Sequence, residues 1–145
     1  MSAEEAQEIA AWRYDPPYAF YDADADAGDL ALLLSAEHRE GRYFSALSEV
    51  ELVGFFGFGT DGGDVIVGLG LRPDLTGRGL GLEFVEAGLD FARERFEPSG
   101  FRLSVATFNE RAIRVYERAG FVRLRTYDHE TNGGVYPFLE MARDP

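Results

Sequence analysis

Between Val65 and Phe96 the sequence changes character twice. An apolar run, Val65 to Leu71, gives way to Arg72-Pro73-Asp74 and then to Thr76-Gly77-Arg78-Gly79-Leu80-Gly81. Beyond it Leu82, Val85, Leu89, Ala92 and Phe96 recur at steps of three and four. The run reads as a strand, and the stripe is that of an amphipathic helix stopped by Pro98-Ser99-Gly100. A strand leading through a glycine-rich turn into a helix restricts the chain to mixed α/β layouts in which helices flank a sheet. In open sheets ligands gather at the carboxyl ends of strands and at helix N-termini, so the same feature marks the first place to look for function.

The remaining elements follow from local signals. Ser2 and Glu5 have capping-box spacing, and Ala6, Ile9 and Ala10 share a helical face until Pro16-Pro17 blocks continuation. Five aromatics crowd the ten residues from Trp12 to Tyr21, which predicts an ordered, partly extended lid. Asp22, Asp24, Asp26 and Gly28 imitate the opening of a calcium loop. That loop needs Gly at its sixth position and Glu at its twelfth, and here Ala27 and Leu33 stand there. A turn capping a helix from Asp29 to about Glu37 is the simpler expectation. Tyr43 to Leu47, Leu52 to Gly59 and Val65 to Leu71 read as a meander with a turn at Asp61-Gly62-Gly63. Phe101, Leu103 and Val105 alternate as a strand, Asn109 caps a helix carrying Ala112, Val115, Tyr116 and Ala119, and Gly120 ends it. Two last strands, Phe121 to Tyr127 and Val135 to Met141, flank Asn132-Gly133-Gly134. One domain over residues 1–145 is expected for this length.

Composition removes several chemistries. The 14 basic residues, all arginine, against 26 acidic ones leave a net charge of −12, which repels nucleic acid and anionic membranes, so no such partner is expected. Without lysine there is no Schiff base and no P-loop; without cysteine there is no thiolate nucleophile and no zinc-thiolate site, and no metal is expected. The dinucleotide fingerprint does not fit the glycines at 77, 79 and 81 either. No apolar stretch is long enough to span a bilayer and the N-terminal residues are acidic, from which a cytoplasmic location is expected. What Thr76–Gly81 does offer is backbone N–H groups open to an anion, the positive end of a helix dipole, and the charge of Arg78. A plain glycine-rich turn with Arg78 in solvent is the other reading.

With these residues in place, Val65 to Phe121 resembles the GNAT superfamily of acetyl-CoA-dependent N-acetyltransferases. That family's phosphate loop has Gln or Arg, two free positions, Gly, a free position, then Gly or Ala; Thr76 to Gly81 matches except at Thr76. Its second signature, an Asn opening a helix with a Tyr seven residues on and a Gly-Phe after it, corresponds to Asn109, Tyr116 and Gly120-Phe121. The family usually opens with a strand, whereas this chain opens with a helix and the aromatic-proline segment. The resemblance implies an α/β fold with a mixed, mostly antiparallel central sheet flanked by helices, and an acyltransferase moving the acetyl group of acetyl-CoA, as cosubstrate, directly to a primary amine. It implies that the pyrophosphate lies on Thr76, Gly77, Arg78, Gly79, Leu80 and Gly81 and that the pantetheine pairs with the backbone of Leu69, Gly70 and Leu71. A backbone N–H near Leu71 would face the oxyanion, and Tyr116 would protonate the departing thiolate.

Bland roles stand beside these. Tyr116 also reads as a core aromatic, and Asn109 as a helix cap that adds, by resemblance, a hydrogen bond to the pantetheine arm. No glutamate occupies the base positions of known branches, where this chain has Asp64 or Val65, and Ser104. Asp64 and His129 read as turn and surface-loop residues, and His38 has no evident partner. Trp12, Tyr14, Tyr18, Phe20 and Tyr21 either line the acceptor pocket or close the core in place of the absent first strand. A cationic acceptor such as a polyamine, an aminoglycoside or a peptide N-terminus suits the acidic chain. The alternative from another class is a non-catalytic acyl-CoA sensor or interaction module of the same fold. The last strand pair could also join two copies as a homodimer.

Overall fold

Apolar residues two apart decide which face of each strand is buried. A computed structural model describes residues 1–145. Phe56 and Phe58 of β2 (Glu51–Asp61), Val65 and Val67 of β3 (Asp64–Leu71), Phe101, Leu103 and Val105 of β4 (Gly100–Ala106), and Leu139 and Met141 of β6 (Gly134–Arg143) all enter one core. With β1 (Tyr43–Ser48) and β5 (Val122–Thr131) they form a six-stranded sheet in the order β1-β2-β3-β4-β6-β5. Every pairing is antiparallel except β3 with β4. The hairpin turns fall at Gly62-Gly63 and Asn132-Gly133, all with positive φ, where glycine and asparagine are the residues that tolerate it.

Helix α4 (Gly81–Phe96) lays Val85, Leu89 and Ala92 on that core, and α5 (Glu110–Arg118) adds Ile113. The α4 stripe works only because Gly88 brings helix and sheet together: a Cβ there would strike the ring of Phe56. Phe56 cannot retreat, since it stacks on Phe84 at 4.5 Å and on Phe58 at 5.9 Å. Gly88→Ala is therefore expected to lower stability by about 1–2 kcal/mol, an overpacking cost of about 1–3 kcal/mol exceeding a helix-propensity gain of about 1 kcal/mol. A urea unfolding midpoint at or above that of the parent would show that the α4–β2 gap has slack.

The parallel pair is short. It holds only for Asp64, Val65 and Ile66 against Gly100, Phe101 and Arg102. Beyond that β3 stays with β2 as far as Leu71, while β4 stays with β6 as far as Ala106, so the two carboxyl ends diverge into a fork. Arg102 ties the closed end, with its guanidinium 2.8 Å from Asp61 Oδ2 and 3.2 Å from Asp64 Oδ2. Asp64 is thus the first residue of β3 and ion-paired, not a solvated turn residue.

The N-terminal region covers the other face of the sheet. Helix α1 (Ala3–Ala10) carries the expected capping box at Ser2 and Glu5, and Ala6, Ile9 and Trp12 join Leu33 and Leu52 in a second, smaller core. The helix expected from Asp29 to Glu37 is two helices, α2 (Ala27–Leu34) and α3 (Ala36–Arg39), because Ser35 is extended and caps the second through the His38 N–H. Asp26 caps α2 by accepting the Asp29 N–H. The aromatic segment is ordered: it runs without regular structure from Trp12 to Asp15, winds into a 3₁₀ turn at Tyr18–Tyr21, and a second 3₁₀ turn follows at Ala23–Ala25. His38 does have a neighbour, lying edge-on to Tyr43 at 5.4 Å.

Candidate active site

The fork, the glycine loop and the start of α5 meet at one end of the molecule. In β3, the Arg72 N–H just past the strand donates to Val53 O, so by the two-residue alternation of an antiparallel ladder Gly70 spends its polar backbone on β2. Leu69 and Leu71 turn theirs the other way, into the fork. Gly70 is required for a different reason: a Cβ there would meet the ring of Phe55. The Leu71 carbonyl accepts a hydrogen bond from the Tyr14 hydroxyl at 2.8 Å, and the Ala106 N–H donates to the Tyr21 hydroxyl at 3.1 Å. The aromatic segment therefore holds both arms of the fork open through two phenols.

The loop follows a short 3₁₀ turn at Pro73–Leu75, anchored where Arg72 pairs with Asp74 at 2.6 Å and Glu51 at 2.8 Å. Gly77 and Gly79 have φ of +72° and +76°, a conformation that costs any residue with a Cβ, and nothing lies within 4 Å of where a Cβ on Gly79 would point. Arg78, Gly79 and Leu80 are exposed. The N-termini of α1, α2, α3 and α5 are each capped by a side chain, whereas α4 starts at Leu80 with no side-chain cap. Its first N–H groups and the dipole of a 16-residue helix point into the open space beside the loop. Gly81 packs on Val115, which seats the start of α4 against α5.

Asn109 caps α5, accepting the Ala112 N–H at 3.2 Å. Tyr116, two turns on, is half-buried against the core with its ring 6.1 Å from that of Phe121. Burial is the main cause that raises its phenol above the ordinary tyrosine range, with the nearby Tyr21 phenol adding to it. Tyr21 is itself raised by burial, opposed by hydrogen bonding from Asn109 and the Ala106 N–H. Tyr14, at the other arm, is pushed up to about 12 by burial and then by the Asp22 carboxylate. The structure thus brings Leu69, Leu71, the loop, Asn109 and Tyr116 around one fork.

Two features of this region were not read from the sequence. Arg111 stacks 4.1 Å over the Tyr18 ring, and its Nη1 would lie 3.5 Å from a Cβ on Gly77, so a second guanidinium flanks the glycine loop. Its signal was available, because a base in the first turn of a helix opposes the dipole and calls for a reason. His129 lies in β5 rather than in a surface loop; it lines a cavity of about 280 Å³ with its ring edge-on to Phe138 at 4.7 Å. Trp12, Tyr14, Phe20 and Tyr21 line that cavity too, whereas Tyr18 instead carries Arg111.

Residues 4–121 match the acetyltransferase (GNAT) family. The chain belongs to that family. Its members of known structure repeat the fold at low identity. A chimera of the Vibrio cholerae spermidine N-acetyltransferase SpeG with hSSAT superposes with a TM-score of 0.80 at 18% identity, covering 99% of this chain and 92% of the other. An aminoglycoside acetyltransferase in complex with coenzyme A gives 0.76 at 20% identity, covering 99% and 91%. A GNAT-family acetyltransferase from Bacillus anthracis gives 0.73 at 14%, again over 99% and 91%. No curated protein matches the sequence at a significant level. The mixed, mostly antiparallel sheet flanked by helices is the GNAT fold that the sequence implied, reached with α1 in place of an opening strand. No helix is long and apolar enough to cross a membrane.

Proposed function

We propose that this GNAT acetyltransferase moves the acetyl group of acetyl-CoA directly to a primary amine. The observation that carries the reading is the fork: the backbone of Leu69 and Leu71 faces into it, beside an uncapped helix start and an open glycine loop. A polyanion with an amide-bearing arm matches that arrangement. Its pyrophosphate would lie on the N–H groups of Thr76 to Gly81, with Arg78 and Arg111 on either side, and its pantetheine would add to β3 at Leu69 and Leu71. Asn109, as the cap of α5, stands beside that arm.

In this reading a neutral amine attacks the thioester carbonyl, the C–N bond forms, and the developing oxyanion faces the Leu71 N–H. The C–S bond then breaks and the Tyr116 hydroxyl gives its proton to the thiolate, while the extra proton on nitrogen leaves to water, from which the Tyr116 phenolate is reprotonated. No residue of the enzyme is acylated. Incubating the protein with acetyl-CoA and a panel of primary amines is expected to release free CoA thiol with at least one of them, in proportion to N-acetylated product. Tight CoA binding with no thiol release from any amine would favour the acyl-CoA sensor instead.

A further inference from the structure

The cavity of about 280 Å³ lies on the sheet face opposite α4 and shares two walls with the fork. Those walls are Tyr14, whose hydroxyl is bound to Leu71, and Tyr21, whose hydroxyl is bound to Ala106. Four more rings, Trp12, Phe20, Phe55 and Phe138, line it, with Trp12 tilted on Phe55 at 6.4 Å and Phe20 on Phe138 at 6.1 Å, and Ile9, Ala23, Leu33 and Tyr43 close the remaining apolar wall.

Most polar groups at its rim are already engaged. Asp26 accepts from the Asn132 N–H and the Thr131 hydroxyl, and the Asn132 amide donates to the Phe20 carbonyl. Asp22 accepts the Tyr14 N–H through one oxygen only, leaving its second oxygen beside the Tyr14 arm of the fork. Asp29, His129 and the Tyr43 phenol are the other polar groups of the lining. Burial is the main cause that raises the Asp29 carboxyl, and the Asp26 charge adds to it.

We infer that this cavity is the acceptor site and that it takes one primary amine on a compact aromatic body, an arylalkylamine, in preference to a polyamine or an aminosugar. The inference rests on the function proposed above. Size is the first argument, since about 280 Å³ lies just below the usual range of small-molecule sites and suits a compact acceptor. Wall chemistry is the second. Flat rings on several sides offer an aryl body dispersion and edge-to-face contacts, and they offer an ammonium their π-faces. An aminosugar would bring many hydroxyls to walls with few free partners. A polyamine would bring several charges to a site whose carboxylates are Asp22 and Asp29. Charge placement is the third argument, because Asp22 stands next to Tyr14 and so draws the amine to the arm that ends at Leu71.

The test compares 2-phenylethylamine, spermidine and kanamycin as acceptors by thiol release, in the parent and in Asp22→Asn. The asparagine retains an oxygen to accept the Tyr14 N–H and removes only the charge. The kcat/KM for 2-phenylethylamine is expected to exceed the other two by at least about tenfold. In Asp22→Asn its KM is expected to rise about tenfold, the loss of one charged hydrogen bond, with kcat within about threefold and CoA affinity by calorimetry unchanged. A higher kcat/KM for spermidine or kanamycin, or an unmoved KM in the variant, overturns the inference while leaving acetyl transfer standing. If no amine is turned over although CoA binds, acetyl transfer itself fails. Calorimetric titration of 2-phenylethylamine into the CoA-bound protein then decides the cavity: binding that Asp22→Asn weakens supports it, and no binding overturns it.

Discussion

A Gly79→Val protein is expected to fold normally and to bind acetyl-CoA about 100-fold more weakly than the parent. Two effects combine. At φ of +76° a β-branched residue is strained by about 1–2 kcal/mol or more, so the loop must leave the conformation that aligns its N–H groups. Where the loop does hold, the valine methyls project into space with nothing within 4 Å, where the pyrophosphate is expected. That same emptiness is why folding is spared: the side chain meets no core atom. Calorimetry with acetyl-CoA and a urea unfolding curve settle the matter together, and a well-folded variant with parental affinity would take the pyrophosphate away from this loop. Gly77→Val is the less clean experiment, because its Cβ would approach Arg111.

Removing one oxygen from Tyr116 is expected to lower kcat by about 10²-fold with CoA affinity unchanged. Tyr116→Phe preserves the ring that packs on the core near Phe121, so a purely packing role predicts a kcat within about twofold of the parent. Burial raises the phenol above its ordinary range, and the sign of that shift matters. A raised pKa holds the hydroxyl in its protonated, donating form up to and beyond about pH 10, so ionisation of Tyr116 should contribute no fall in kcat between about pH 6 and pH 10. An alkaline limb inside that window, present in the parent and absent from Tyr116→Phe, would contradict the burial. Parental kcat in Tyr116→Phe across the window would leave the thiolate to be protonated by water.

Much of this arrangement could be read from residue order alone, and the reasons are local. The Leu82 to Phe96 stripe is a helix because its apolar residues repeat at the helical period, and it is anchored by the loop before it and Pro98 after it. The strands of the meander alternate clearly because one face is core. What was hidden depends on partners distant in sequence. His129 reads as a loop residue because β5 is an edge strand with both faces largely exposed, so its polar run lacks the alternation that betrays a strand; its ladder with β6 holds it instead. The fork was invisible for a similar reason, since where β3 and β4 part company is a matter of register and not of composition. The aromatic segment declared that it must be buried, but not that two of its hydroxyls end on the backbones of Leu71 and Ala106, residues 57 and 85 positions away.

The three-residue seam between β3 and β4 gives the sheet the mechanics of a pair of shears. On one side β1, β2 and β3 form a stiff antiparallel blade, on the other β4, β6 and β5 form a second, and the pivot is Asp64 to Ile66, pinned by Arg102. Leu71 lies five residues beyond the pivot, about 16 Å along the strand, so a rotation of about 5° at the seam moves the tip by about 1.4 Å. Misplacements near 1 Å cost reactions of this kind about 10²-fold. Leverage of that size would couple the partly exposed Arg102 ion pairs at the closed end to the alignment at the tip, where Tyr14 and Tyr21 brace the two arms.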